Sequence, residues 1–130
     1  LQEQPIRETY FSSEANGGPK MATYRVKFNA QYRKKWNITF GFAELEPATV
    51  KAVERICKKA YHVLQIRDYG RIDLRLTPEN KFVVLEANPN PDIADGEELA
   101  EAAAKSGISY QELIAHILHL ALQRYKGTRT

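Results

Sequence analysis

With 130 residues, 43% hydrophobic and 27% charged, the chain holds enough apolar material for one compact soluble domain, and disorder, collagen-like repeats and an array of domains are excluded. Its single cysteine, Cys57, rules out an internal disulfide or a cysteine-based zinc site and leaves a reducing compartment as the default. No apolar stretch is long enough to span a bilayer, and Leu1 to Tyr10 lacks the pattern of a signal peptide, so a cytoplasmic setting is expected. The formal charge of +3 is too mild to announce nucleic-acid binding, but it is unevenly spread. Lys20 to Lys35 collects Lys20, Arg25, Lys27, Arg33, Lys34 and Lys35 without a carboxylate, whereas Pro91 to Glu101 carries Asp92, Asp95, Glu97, Glu98 and Glu101. The chain starts on Leu, which suggests a piece of something longer.

Gln4 to Phe11 reads as a strand, and Ser12 to Lys20, with Asn16-Gly17-Gly18-Pro19, as a mobile turn-rich loop. Thr23 to Phe28 alternates weakly through Tyr24, Val26 and Phe28, the pattern of a short strand; residues 29 to 46 show no strong period. Pro47 suits a first helical position, and Val50, Val53, Cys57, Ala60 and Leu64 recur at helical spacing, predicting a helix to about Gln65. Cys57 on that stripe reads as core rather than nucleophile.

Gly70 to Thr77 and Phe82 to Asn88 form a hairpin pattern. A loop of even length puts Ile72, Leu74 and Leu76 on one face with Val83, Leu85 and Ala87, and Arg71, Asp73, Arg75, Phe82, Val84, Glu86 and Asn88 on the other; an odd loop mixes charge into the apolar set. After a proline-rich loop, Asp95 with Glu98 reads as a helix start, Gly107 as its left-handed end, and Ser109 with Glu112 as a capping box. The last helix presents Tyr110, Leu113, Ile114, Ile117, Leu118 and Ala121 as its buried stripe and stops at Gly127. The expected fold is α+β, a single domain over residues 1–130 (strand and mobile loop at 1–22, main lobe at 23–126), with helices packed on one face of a largely antiparallel sheet.

A four-residue loop, Pro78 to Lys81, places Asp73 opposite Glu86 and Arg71 opposite Asn88. Like charges facing each other across a ladder are destabilising, so the carboxylate pair calls for a reason. A magnesium ion is one, taking Asp73, Glu86 and the amide oxygen of Asn88 as a partial oxygen shell, with Arg71 beside it to stabilise charge developing on a phosphoryl group or tetrahedral centre. The other is a solvated face on which Arg71 and Arg75 simply pair with Asp73 and Glu86. Spacing alone leaves both open.

Gly70-Arg71-Ile72-Asp73, a turn, and Leu85-Glu86-Ala87-Asn88 before a proline-containing loop and an amphipathic helix resemble the C-terminal end of the ATP-grasp ligases, the D-alanine-D-alanine ligase branch above all. The resemblance runs back to Tyr24-Arg25-Val26-Lys27-Phe28 and forward through Gly107-Ile108-Ser109-Tyr110-Gln111-Glu112-Leu113. It implies that Asp73, Glu86 and Asn88 ligate the Mg2+ (or Mn2+) bridging ATP phosphates, that Lys27 contacts those phosphates, and that Arg71 stabilises an acyl phosphate and tetrahedral intermediate. The implied activity is an ATP-dependent carboxylate-amine ligase, an enzyme forming a C–N bond. Its partners are a nucleotide and small carboxylate and amine substrates, together with N-terminal and central lobes of the same protein that this sequence lacks; a homodimer is left open, and the isolated chain is expected to bind ATP weakly and not to turn over.

The loop after Asn88 departs from the family. Asp92 stands where a glycine is usual and Glu97 near a usual serine, so Asn90, Asp92, Asp95 and Glu97 suggest a pocket that meets an amine or cationic group rather than the carboxylate of D-alanine. Alternatively, Asp95 and Glu97 merely cap a helix and complement its dipole. Two other readings of the whole chain remain: a degenerate ATP-grasp lobe serving as an interaction domain, and a small nucleic-acid-binding module built on Tyr32-Arg33-Lys34-Lys35-Trp36, the weaker of the two. His116 and His119 are spaced to hold a metal but project from the apolar stripe with no third ligand, so they read as solvent-facing.

Overall fold

A computed structural model describes residues 2–12 and 20–127. The order is β1 (Arg7–Tyr10), α1 (Tyr24–Phe28), α2 (Ala30–Lys35), β2 (Thr39–Phe42), α3 (Pro47–Val63), β3 (Arg71–Leu76), β4 (Phe82–Asn88), α4 (Glu98–Lys105) and α5 (Tyr110–Gly127). The fold class is α+β and its strand pairings are antiparallel, as expected, but among the described residues the strands form two two-stranded ladders rather than one sheet. The described residues divide into two compact units, Ile6–Glu44 and the residues on either side of it. Leu1 and most of the loop expected at 12–20 lie outside the described residues.

Within Ile6–Glu44, β1 pairs with β2 from Arg7↔Phe42 to Tyr10↔Thr39. The stretch read as a weak strand at Thr23–Phe28 is helical. The Thr23 hydroxyl accepts the N–H of Val26 to cap α1, and Val26 alone is buried, while Tyr24 and Phe28, one helical turn apart, pack ring to ring at 4.9 Å on the exposed side. Alternation and helical spacing coincide over so few residues, and the cap decides between them. Asn29 caps α2 in the same way through the N–H of Tyr32. Arg33 then donates from Nη1 to the carbonyls of Val26 and Lys27, closing the end of α1.

In the other unit α3 begins on Pro47 and ends at Val63, close to the expected span, with Val53 buried and Val50, Cys57 and Ala60 partly so. Leu64, expected on the buried stripe, is exposed, because the chain leaves the helix there and turns through Gln65 at φ 54°. The α4–α5 pair carries a core of Ala100, Ala103 and Leu113, flanked by Leu99, Ile108, Tyr110 and Ile117. Gly107, at φ 81°, ends α4: its N–H bonds the carbonyl of Ala104 and that of Ile108 bonds Ala103, the paired bonds of a Schellman motif. Ser109 and Glu112 form the expected reciprocal box, the Ser109 N–H donating to Oε2 at 2.8 Å and its hydroxyl accepting from the Glu112 N–H. Leu118, expected on the buried stripe of α5, is exposed.

The hairpin turn contradicts the four-residue loop. Thr77 and Lys81 close on a three-residue loop, the Thr77 N–H donating to the carbonyl of Lys81 at 2.8 Å, with Asn80 left-handed at φ 57°. Near the turn Leu76 pairs with Phe82, Arg75 with Val83 and Leu74 with Val84; then the register shifts, Leu85 is left without a partner, and Asp73 faces Glu86, Ile72 faces Ala87 and Arg71 faces Asn88. The bulge thus restores the pairing that the short loop takes away. The cost to the expected faces is local: Val83 joins Arg75 on the polar side, and Phe82 and Val84 join the apolar one.

Candidate functional site

The open end of the β3–β4 hairpin concentrates the charged residues. Cross-strand neighbours project to the same side, so Arg71, Asp73, Glu86 and Asn88 share one face. Gly70 permits a close approach at this end: a Cβ there would lie 2.8 Å from Cγ2 of the buried Ile66 and 3.3 Å from the carbonyl oxygen of Asn88.

Arg71 is held on two sides. Its Nε donates to Oδ1 of Asp73 at 2.8 Å and Nη2 to Oδ2 at 3.4 Å, while Nη1 donates to Oε2 of Glu98, the first residue of α4, at 2.9 Å. Burial disfavours the guanidinium charge most strongly, yet the hydrogen bond and charge of Asp73, with the charges of Glu98 and Glu86, outweigh it and push the Arg71 pKa up. Arg71 therefore stays a cation and keeps an N–H on each terminal nitrogen for a further acceptor.

The loop beyond Asn88 is ordered by short polar turns. Oδ1 of Asn88 accepts the N–H of Asn90 at 2.9 Å, and Oδ1 of Asn90 accepts the Tyr69 hydroxyl at 2.6 Å, which ties the loop to the segment entering β3. Asp92 accepts the N–H of Ala94. Asp95 does not cap α4. It lies in a turn closed by the Glu97 N–H on the Ala94 carbonyl, with Gly96 at φ 82°, so the helix starts two residues later than that cap requires. Glu97 occupies the N-cap position without a side-chain bond to the helix. Asp95 is therefore no cap, and Glu97 makes no capping hydrogen bond although its place at the N-cap still complements the α4 dipole; both carboxylates are exposed.

Lys27 is exposed on α1, in the other compact unit. Among the described residues no three His, Cys, Asp or Glu side chains cluster as a cage for a cation. The hairpin donors are two carboxylates and one amide, and that set suits magnesium, which typically takes one or two carboxylates and fills its shell with phosphate oxygens and water. Asn88 has a lone pair left beside its bond to Asn90, and Glu86 is exposed.

His116 and His119 are exposed on α5, His119 within 2.8 Å of the Gln123 amide nitrogen. Lys35 lies over the Trp36 ring at 5.2 Å and Tyr32 packs beside it, so these aromatics of the basic cluster contact their own helix. Cys57 is half-buried and burial pushes its thiol pKa up, against a nucleophilic role. No described helix is long and apolar enough to cross a membrane. Sequence reasoning missed the contacts of Glu98 and Tyr69 at the site. Glu98 is read there only as part of a helix start, and nothing local marks its bond to Arg71, 27 positions away.

Residues 13–119 match a family model described as the D-ala D-ala ligase C-terminus. The chain is 35% identical over 100 residues to a D-alanine–D-alanine ligase of Paraburkholderia phymatum, covering 77% of this chain and 31% of that enzyme. It is 32% identical over 94 residues to the ligase of Buchnera aphidicola, covering 72% and 30%. The chain thus spans about a third of the length of the curated relatives it matches. Among solved structures, a D-alanine–D-alanine ligase from Bacillus anthracis superimposes with a TM-score of 0.73 over 96% of this chain and 37% of that one, at 21% identity. A second structure from that organism, complexed with ATP, gives 0.65 over 68% and 31%, at 24% identity. At these identities the solved structures show the shared fold.

Proposed function

The chain belongs to the D-ala D-ala ligase C-terminus family, and on that premise we propose that it is the C-terminal lobe of an ATP-dependent ligase joining a carboxylate to an amine. The observation that carries this reading is the hairpin end, where Asp73 faces Glu86 and Arg71 faces Asn88 on one side of the ladder. Asp73, Glu86 and the amide oxygen of Asn88 would hold the magnesium, or manganese, of the nucleotide. The ion supplies charge neutralisation at the phosphate oxygens when bound. The family resemblance alone gives Lys27 a nucleotide-phosphate contact as its role. Arg71 directs its remaining N–H groups at the charge that develops as ATP phosphorylates the carboxylate and as the amine displaces phosphate. Phosphoryl transfer of this kind relies on positioning and charge, and needs no covalent nucleophile from the chain.

This function includes a cytoplasmic setting and further lobes of the ATP-grasp fold, supplied from outside these 130 residues, that complete the nucleotide site. The isolated chain then binds Mg-ATP weakly and does not turn over, and micromolar affinity in a calorimetric titration contradicts that. Asp92, Asp95 and Glu97, with the neutral amide of Asn90 among them, make the acceptor side acidic and favour an amine or cationic acceptor over D-alanine. The test is ATP-dependent phosphate release by the complete ligase against a panel of acceptors. Cationic amines should outperform D-alanine, and Asp73→Asn or Glu86→Gln should lower turnover at least about tenfold. Strong D-alanine turnover overturns the acceptor assignment; undiminished turnover in both variants overturns the metal assignment of Asp73 and Glu86, and no ATP-dependent release with any acceptor overturns the ligase reading itself.

A further inference from the structure

Arg71 is shared by two carboxylates that differ in their other duties. Asp73 grips it through both oxygens, yet under the proposed function, on which this inference rests, Asp73 also serves a divalent cation. A carboxylate that turns part of its charge to a cation holds an arginine less firmly. Glu98 has no second duty among the described contacts. It reaches Arg71 from another element, at the first turn of α4, and binds the terminal nitrogen that Asp73 does not use. The pair is partly withdrawn from solvent, with 31% of the Arg71 side chain and 44% of that of Glu98 exposed, so screening weakens it without abolishing it.

We propose that Glu98 is a positioning residue that anchors the Arg71 guanidinium from α4, so that Asp73 can turn to a divalent cation without releasing the arginine. A glutamate on a different element fixes the plane of the guanidinium whether or not the cation is bound. Without it, Asp73 must choose between the two, and the cation competes with Arg71 for the same carboxylate.

The first test follows the arginine itself by NMR in the 130-residue chain, with Mg2+ added to saturation as the probe. In the wild type the Arg71 Nε and Nη proton signals should stay resolved before and after magnesium. In Glu98→Ala they should broaden or exchange about tenfold faster once magnesium is added, and in Glu98→Gln, whose amide oxygen still accepts from Nη1, the change should be smaller. Identical behaviour of wild type and Glu98→Ala overturns the proposal. The second test follows phosphate release by the complete ligase. Glu98→Ala should lower kcat about tenfold and alter the Mg2+ concentration for half-maximal rate, Glu98→Gln should recover part of both, and neither change should be additive with Arg71→Ala. Effects that add fully to those of Arg71→Ala assign Glu98 a structural role instead. Should Glu98→Ala fail to fold, the near-isosteric Glu98→Gln decides alone: a shifted magnesium requirement supports the anchor, an unshifted one overturns it. If magnesium leaves the Asp73 and Glu86 signals untouched and Arg71→Ala is fully active, the metal-site reading of the hairpin fails and the proposal falls with it, whereas a magnesium response at Asp73 and Glu86 with Arg71 indifferent to Glu98→Ala overturns the proposal alone.

Discussion

Where α4 meets the first half of α5 the aliphatic side chains turn inward, whereas the β3–β4 hairpin leaves many of its own in solvent, as does the far half of α5 at Leu118, Leu120 and Leu122. Ala103 is fully buried and Leu113 is 7% exposed between the helices, while Leu76, Val83, Val84 and Leu85 are 45%, 46%, 39% and 56% exposed. The helical pair is also closed at its joint, by the left-handed Gly107 and the Ser109–Glu112 box. The hairpin is secured instead at its charged end, by Arg71 with Asp73 and Glu98 and by Gly70 against Ile66. Apolar burial therefore stabilises one region, and polar anchoring orders the other. The residues with chemistry to offer sit in the second.

That contrast predicts a ranked set of responses to substitution. Leu113→Ala should lose about 2–5 kcal/mol in chemical denaturation, since it empties a packed site, whereas Leu85→Ala should lose under about 1 kcal/mol from an exposed bulge. Comparable losses at the two positions break the distinction. Gly70→Ala forces a methyl against Ile66 and the Asn88 carbonyl, and should cost about 1–3 kcal/mol. Amide exchange in β3 and β4 should rise with it while that of α5 stays unchanged; a loss spread evenly over both regions argues that they are not separately held. Ser109→Ala, which removes the hydroxyl from the cap, should cost about 1 kcal/mol in the same denaturation.

The smallest effect is the one that pH reads at that cap. The Ser109 hydroxyl and backbone N–H hold the Glu112 carboxyl below its ordinary pKa. A depressed folded-state value means that the contribution is present above the unfolded carboxylate pKa and is lost as pH falls through the folded one. Wild type and Ser109→Ala should therefore converge in stability under acid, and a gap that widens with acid removes Glu112 from the account.

What was legible in the sequence follows the same division. Gly107, Ser109 with Glu112, and Pro47 each declare a helix end within a few residues, and all three took the structure expected of them. The hairpin strands were legible too, but not their turn: Pro78-Glu79-Asn80 closes one residue shorter than expected, and the bulge at Leu85 that compensates has no local signature. The facing of Asp73 and Glu86 was thus expected from a loop of the wrong length. Thr23–Phe28 was misread because alternation over so few residues says less than the Thr23 cap. Leu64 and Leu118 extend helical stripes past the point where anything packs on them, so spacing alone overstates their burial. At the site, Arg71, Asp73, Glu86 and Asn88 were readable from the hairpin pattern, but the Glu98 anchor and the Tyr69–Asn90 bond join positions far apart in the chain.

The most direct measurement is paramagnetic broadening of the amide signals of this chain by Mn2+ in the presence of ATP. The hairpin site predicts that Asp73, Glu86 and Asn88 broaden first, and that Glu86→Gln weakens the effect. Broadening centred on the acidic loop from Asp92 to Glu101, with the hairpin signals untouched, would contradict it.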